Sequence, residues 1–188
     1  QLNRGDDIAL NIKRDGKICD VDVTGSSFDA RALLKLVTAS GASTEKQSGR
    51  GSVLVKARLD SVTGFNNEAL QAVYVTYRGS GALKMEGSTD RGASVTVDDD
   101  TKSGVRRLKL KSSDAGSVLR FLNIYPKMQS GAIDGALASE GDGPLQGQIS
   151  ARNFTIVNEP RLGSVVSKRA QGSDRSLNDA VKNRIDSS

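Results

Sequence analysis

The chain has 188 residues, a net charge of +5, 36% hydrophobic residues, 20 Gly, three Tyr, four Phe, one Cys and neither His nor Trp. That length fits a single domain or a little more, and the inventory excludes Cys/His zinc sites, a His general base and a Ser–His–Asp or Cys–His pair. Cys19 has no second cysteine to bridge to, so no internal disulfide framework holds the fold.

Along the chain, strand signals dominate. Ile8, Leu10 and Ile12 alternate with polar residues, Asp15-Gly16 offers a tight turn, and Cys19, Val21 and Val23 alternate again. This is the pattern of a β-hairpin. Asp29 is placed to cap a helix over 30–39, in which Leu33, Leu34, Leu36 and Val37 form one apolar stripe. Residues 40–51 are small, polar and Gly-rich and read as a mobile connector.

Five strands are expected next. Val53, Val55, Ala57 and Leu59 alternate cleanly with polar neighbours. Residues 70–78 are apolar on both faces, with Val73, Val75 and Tyr77 on one and Leu70, Ala72 and Tyr74 on the other. Turns at 79–81 and 90–92 bound a strand carrying Leu83 and Met85, and Val95 and Val97 follow on the next. After Asp98-Asp99-Asp100 and Gly104, residues 105–112 place Leu108 and Leu110 on one face. Such short connections predict an antiparallel meander. A second helix is expected from Ala115 to Ile124, stopping before Pro126. Residues 131–138 and 144–157 predict a last hairpin, with a bulge near Arg152-Asn153 where the apolar parity changes. A third short helix is expected near Glu159-Pro160, and Ser173 to Asn178 reads as a further helix start.

The two main helices begin alike, each with an Asp-Ala pair after a strand, at Asp29-Ala30 and Asp114-Ala115. Both Asp residues are read as structural helix caps, accepting from the exposed N–H groups of the first turn. The fold class is accordingly mainly β (α+β): an antiparallel meander forming an open, curved, groove-like sheet with two or three short helices at strand ends. Residues 1–168 form the β-rich domain, with strand–cap–helix corners at about 24–39 and 110–124; 169–188 are a polar linker and the start of another helix. The opening at Gln1 without Met and the tail pattern lead to the expectation of a fragment of a longer, repeat-like array.

One sheet face is aliphatic and the other is mostly Lys, Arg, Asp, Ser and Thr. The residues expected on the apolar face are Val53, Val55, Leu59, Val73, Val75, Leu83, Val95, Leu108 and Leu110. Left open, such a face is a candidate groove for an acyl chain; covered by the helices, it is ordinary core. Carboxylate chemistry has little footing, because Asp98, Asp99, Asp100, Asp114, Asp134 and Asp142 are placed in turns or caps with no readable pairing. No basic block exceeds Arg106-Arg107, so no nucleic-acid partner is expected.

From residue 105 the pattern becomes more specific: Ser113-Asp114-Ala115-Gly116, then Leu119, Leu122 and Tyr125, then Gly131, Leu145-Gln146-Gly147, Asn153-Phe154 and Asn158-Glu159-Pro160-Arg161-Leu162. Together with Phe28 to Leu34 upstream, it resembles the AsmA-like C-terminal region of bacterial cell-envelope proteins, relatives of TamB and YhdP. The resemblance runs to about residue 166 and includes no catalytic signature. It implies a periplasmic segment of a protein anchored in the inner membrane of a Gram-negative bacterium through parts outside this chain. Such proteins support outer-membrane integrity and phospholipid transport between membranes along an apolar β-groove. It implies no enzyme activity, and no cofactor or metal is expected. The partners would be a phospholipid or other acyl lipid and the remaining repeats of the parent protein. The alternative expectation is a structural or protein-interaction module that pairs through its sheet edges with other envelope proteins.

Overall fold

The structure is a computed structural model, which describes residues 5–16, 18–39, 53–79, 81–141 and 143–158. The expected connector at 40–51, the helices near 159 and 173 and the polar linker lie outside the described residues.

Nine strands form one sheet in strict sequence order: β1 (Asp7–Asp15), β2 (Ile18–Asp29), β3 (Val53–Thr63), β4 (Ala69–Arg78), β5 (Ala82–Thr89), β6 (Ser94–Lys102), β7 (Val105–Ser112), β8 (Met128–Glu140) and β9 (Gln146–Ile156). Among the described residues two short helices interrupt the series, α1 (Arg31–Ala39) between β2 and β3 and α2 (Ala115–Phe121) between β7 and β8. The protein is therefore mainly β, with an open, mostly antiparallel sheet.

One ladder departs from the meander. β2 and β3 are parallel, pairing Cys19 with Val53 through to Asp29 with Thr63. Parallel neighbours need a long crossover, which α1 and the residues after it provide. The β7–α2–β8 connection instead joins antiparallel neighbours, so the two Asp-Ala corners serve different topologies.

Turn chemistry fixes the registers. The β1–β2 turn falls between Asp15 and Ile18, which stand opposite each other, and Gly16 takes φ +56°. The turn thus lies one position later than expected, because Asp15 stays in the strand and Gly16 supplies the left-handed conformation. The β6–β7 turn uses Ser103 and Gly104, both at positive φ, between the paired Lys102 and Val105. Consequently Asp98, Asp99 and Asp100 belong to β6 and not to a turn. Their cross-strand neighbours explain the tolerance: Asp98 faces Lys109 and Asp100 faces Arg107. Asp134 likewise sits within β8, 3.2 Å from Lys111 Nζ.

The β1–β2 ladder shifts register between Asp7 and Ile8, and two further sites bear on the expected strand faces. Ala72 has φ +48°, and the β4–β5 register shifts between Gln71 and Tyr74. This bulge brings Leu70 into the same core as Val73, whereas uniform alternation would separate them. On the last hairpin the parity change near Asn153 occurs without a register shift. Ser130 pairs with Phe154 and Ala132 with Arg152, while the intervening Gly131 and Asn153 both take positive φ. Both strands kink together, so one-sided insertion of a residue is unnecessary.

The core lies at one end of one sheet face. Leu59, Val62, Leu70, Val73 and Val95 meet Ala30, Val118 and Phe121, and a second cluster of Ala115, Met128 and Ile133 adjoins α2. Gly116 permits that approach, since a Cβ there would stand 2.6 Å from the Met128 carbonyl and 2.8 Å from Gln129 Cα. The Gly64 backbone similarly passes against the Phe121 ring. α2 ends earlier than its apolar pattern suggests. Asn123, at φ +57°, donates to the Arg120 carbonyl and Ile124 to the Leu119 carbonyl, a left-handed closure that stops the helix before Pro126 can.

Candidate functional site

The cross-strand registers assemble the aliphatic residues into rows that run across the sheet. Residues in register share a face. The row nearest the helices includes Leu59, Val73, Val95 and Ile133, all buried. The next runs Leu10–Val23–Ala57–Val75–Met85–Val97–Leu110–Gly135–Ile149 and borders the helix-covered core. The third runs Ile12–Val21–Val55–Tyr77–Leu83–Asp99–Leu108–Leu137–Gly147. None of its apolar members joins either core cluster.

All nine residues expected on the apolar face occupy one face. Leu59, Val73 and Val95 are core beneath the helices. Val75 and Leu110 are half-buried at its border, and Val55, Leu83 and Leu108 are half-buried in the outer row. Val53 lies further out beside Cys19. At the edge strands the rows become exposed, through Leu10 and Ile12 on β1 and Ile149 on β9. The opposite face mixes charges; a shallow depression of about 220 Å³ there is lined by Lys84, Glu86, Asp98, Lys109 and Lys111 among others.

One polar feature interrupts the apolar face. Arg106 Nη2 lies 2.6 Å from Asp99 Oδ2, and its Nε lies 3.0 Å from Oδ1. Asp99 occupies the outer row, and Arg106 continues the face beyond Leu108. The carboxylate hydrogen bond raises the Arg106 pKa above its usual value. Sequence reasoning missed this pair because three consecutive Asp residues read as a turn; the visible signal was Val95 and Val97 setting an odd-numbered apolar parity that Asp99 inherits.

The two capping residues differ in position. Asp114 is the N-cap of α2, its Oδ1 accepting from Ser117 N at 3.0 Å and its Oδ2 from Ser117 Oγ at 2.9 Å. Asp29 ends β2, one residue before the corresponding position. Its Oδ1 accepts from Arg31 N at 3.0 Å, and Arg31 also pairs with the same carboxylate through its guanidinium. The parallel ladder holds Asp29 extended opposite Thr63, and Ala30 N donates to the Thr63 carbonyl, so the first helical turn starts one residue later.

A second clip, also unseen in the sequence, ties the β3–β4 loop to α2. Arg120 Nε meets Glu68 Oε1 at 2.5 Å, and Asn66 Nδ2 donates to the Arg120 carbonyl at 2.9 Å. Among the described residues no cluster of three His, Cys, Asp or Glu side chains is arranged to hold a metal, and no helix is long and apolar enough to cross a membrane. Compared with protein-family models, curated proteins and solved structures, the chain matches none of them.

Proposed function

We propose that this chain is a non-enzymatic segment of an AsmA-like cell-envelope protein whose curved sheet presents an apolar groove to phospholipid acyl chains. In this reading it is the periplasmic part of a protein held in the inner membrane by other segments, one stretch of a longer β-array serving lipid transport and outer-membrane integrity. The observation that carries it is the outer row: Val21, Val55, Tyr77, Leu83, Leu108 and Leu137 are half-buried, laterally contiguous apart from Asp99, and outside both core clusters. Nine strands at about 4.8 Å spacing make such a row roughly 38 Å across, longer than an extended acyl chain.

The energetics suit passage better than capture. Each acyl CH₂ fully removed from water contributes about 0.8 kcal/mol, and a surface that contacts the chain from one side recovers only part of this. Similar aliphatic sites repeated strand after strand give no deep minimum, so a chain moves along the row without being trapped. Asp99, buried within this row, and its half-buried partner Arg106 offer a strongly polar contact there.

The test is organic extraction of the purified chain with analysis for phospholipid, together with binding of a fluorescent fatty acid. Leu83→Asp and Leu108→Asp are expected to abolish binding, while Tyr74→Asp, on the polar face, leaves it intact. Absence of both co-purified lipid and fatty-acid binding in the folded wild-type chain overturns the groove assignment for this segment. Edge pairing with another protein chain is the second reading, favoured by the uninterrupted outer edge of β1.

A further inference from the structure

We propose that β1 is a self-complementary edge on which a second copy of this chain pairs antiparallel, about a two-fold axis at Leu10, to join two sheets into one. This interaction is independent of the lipid reading.

The two edges of the sheet are unlike. β9 carries Gly147 and the left-handed Asn153, whose kink breaks its run. Such irregularity, with Arg152 beside it, is how natural edges resist pairing. β1 is guarded by charge alone, at Asp7, Lys13, Arg14 and Asp15, which select a partner of complementary charge instead of breaking the strand. From Ile8 to Asp15 its ladder with β2 is regular, it contains neither Pro nor Gly, and every residue from Ala9 onward is exposed. Leu10 and Ile12 are 61% and 64% exposed at the end of the apolar rows.

Register narrows the partner. In an antiparallel pair of identical strands, opposed residue numbers add to a constant. An odd constant sets Leu10 against Asn11 and puts the two apolar faces on opposite sides. Among even constants, 22 opposes Asp7 to Asp15 and Ile8 to Arg14, and 18 opposes Asp6 to Ile12. A constant of 20 opposes Leu10 to Leu10, Ile8 to Ile12 and Asp7 to Lys13, the last two twice by symmetry. On the apolar face Ile8, Leu10 and Ile12 then meet only one another, and on the other face Asp7 stands opposite Lys13. Asp7 accepts one hydrogen bond from Ser26 through Oδ2, and Lys13 makes no ion pair among the described residues. Isologous pairing of this kind closes after two copies, and the apolar rows run unbroken from one copy into the next.

Two measurements on the full chain test this. Analytical ultracentrifugation from micromolar to near-millimolar concentration is expected to show a monomer–dimer equilibrium. Asp7→Lys or Lys13→Asp alone weakens it by about tenfold or more, and the combined swap restores it. In a Cys19→Ser background, Leu10→Cys is expected to form an intermolecular disulfide under mild oxidation, because opposed Cα atoms stand about 4.5–5.5 Å apart. Ile12→Cys does not, since its two copies lie four residues out of register, about 14 Å apart. A strict monomer, a dimer indifferent to both charge reversals, or equal cross-linking at the two positions overturns the proposal. A dimer through β9 or through the apolar faces gives the second of these results.

Discussion

Asp99 and Arg106 form their ion pair diagonally across β6 and β7 on the apolar side of the sheet, with Leu83 and Leu108 flanking Asp99 in register. Two charges so placed give up hydration for each other. Breaking such a pair leaves one charge stranded, whereas replacing both by apolar groups removes the desolvation cost.

Arg106→Leu or Asp99→Leu alone is therefore expected to lower stability by about 1–3 kcal/mol, less than for a fully buried pair because both side chains keep some solvent contact. The double variant is expected to be more stable than either single one, since Leu at both positions extends the aliphatic rows. Urea unfolding of the four proteins reads this cycle; a double variant as unstable as the sum of the singles refutes it.

Gly116 in α2 offers a test of packing against propensity. Alanine is the better helix former by about 1 kcal/mol, yet its Cβ would meet the backbone of Met128, Gln129 and Ser130 at 2.6–2.8 Å. Backbone on both sides cannot yield as a side-chain tip does. Gly116→Ala is expected to lower the melting temperature, with the loss appearing as reduced protection of α2 and the start of β8 in hydrogen exchange.

Asp114 and Asp29 look alike in the sequence, and their geometry predicts unequal roles. Asp114→Ala removes the acceptor for both Ser117 N and Ser117 Oγ in a buried corner and is expected to cost about 1–2 kcal/mol. Asp114→Asn keeps an acceptor and is expected to retain much of that. Asp29 is half-buried and pairs with the exposed Arg31, accepting from Arg31 N as well, so Asp29→Ala is expected to cost less than the same change at the buried Asp114. Equal losses in thermal or urea unfolding would refute the distinction.

The exposed end of β6 carries a pH dependence of small size and definite sign. Asp100 accepts a hydrogen bond from Lys102, which holds its carboxyl below the usual aspartate range, with the charge of Lys102 acting in the same direction. A depressed folded pKa means that the stabilisation is present above the unfolded value of about 3.9 and is lost as pH falls through the folded value. Carboxyl NMR titration is expected to place Asp100 below ordinary aspartates, and Lys102→Ala to move its midpoint up toward them. An unchanged midpoint in that variant removes Lys102 as the cause.

The strands were legible because period-two alternation in Val53–Leu59, Val95–Val97 and Leu108–Leu110 is a local property, and the short turns at 79–81 and 90–92 leave little choice of partner. The common face of the nine aliphatic candidates follows from that parity. What stayed hidden was non-local or a matter of backbone. Nothing near Val21 or Val55 specifies that their strands run parallel. The left-handed residues Ala72 and Asn153 reverse parity without a glycine at their own positions, and Asp99 is acceptable on an apolar face only because Arg106 arrives from the next strand. Both helix-opening Asp residues were visible, yet the one-residue offset of Asp29 depends on Thr63 across the ladder.

The parallel step between β2 and β3 also bears on the order in which the ladders are expected to form. Every other neighbouring pair is joined by a tighter connection, whereas β2 reaches β3 only after residues 30–52 have closed a wide loop. Closing it costs entropy before any ladder bond repays it, and such non-local pairings form slowly. The β1–β2 hairpin is therefore expected to form as a local unit and to dock onto β3 later than the strands of the meander pair with one another. A chain in which the hairpin is undocked would have β3 as its edge, a boundary different from the one the finished fold displays.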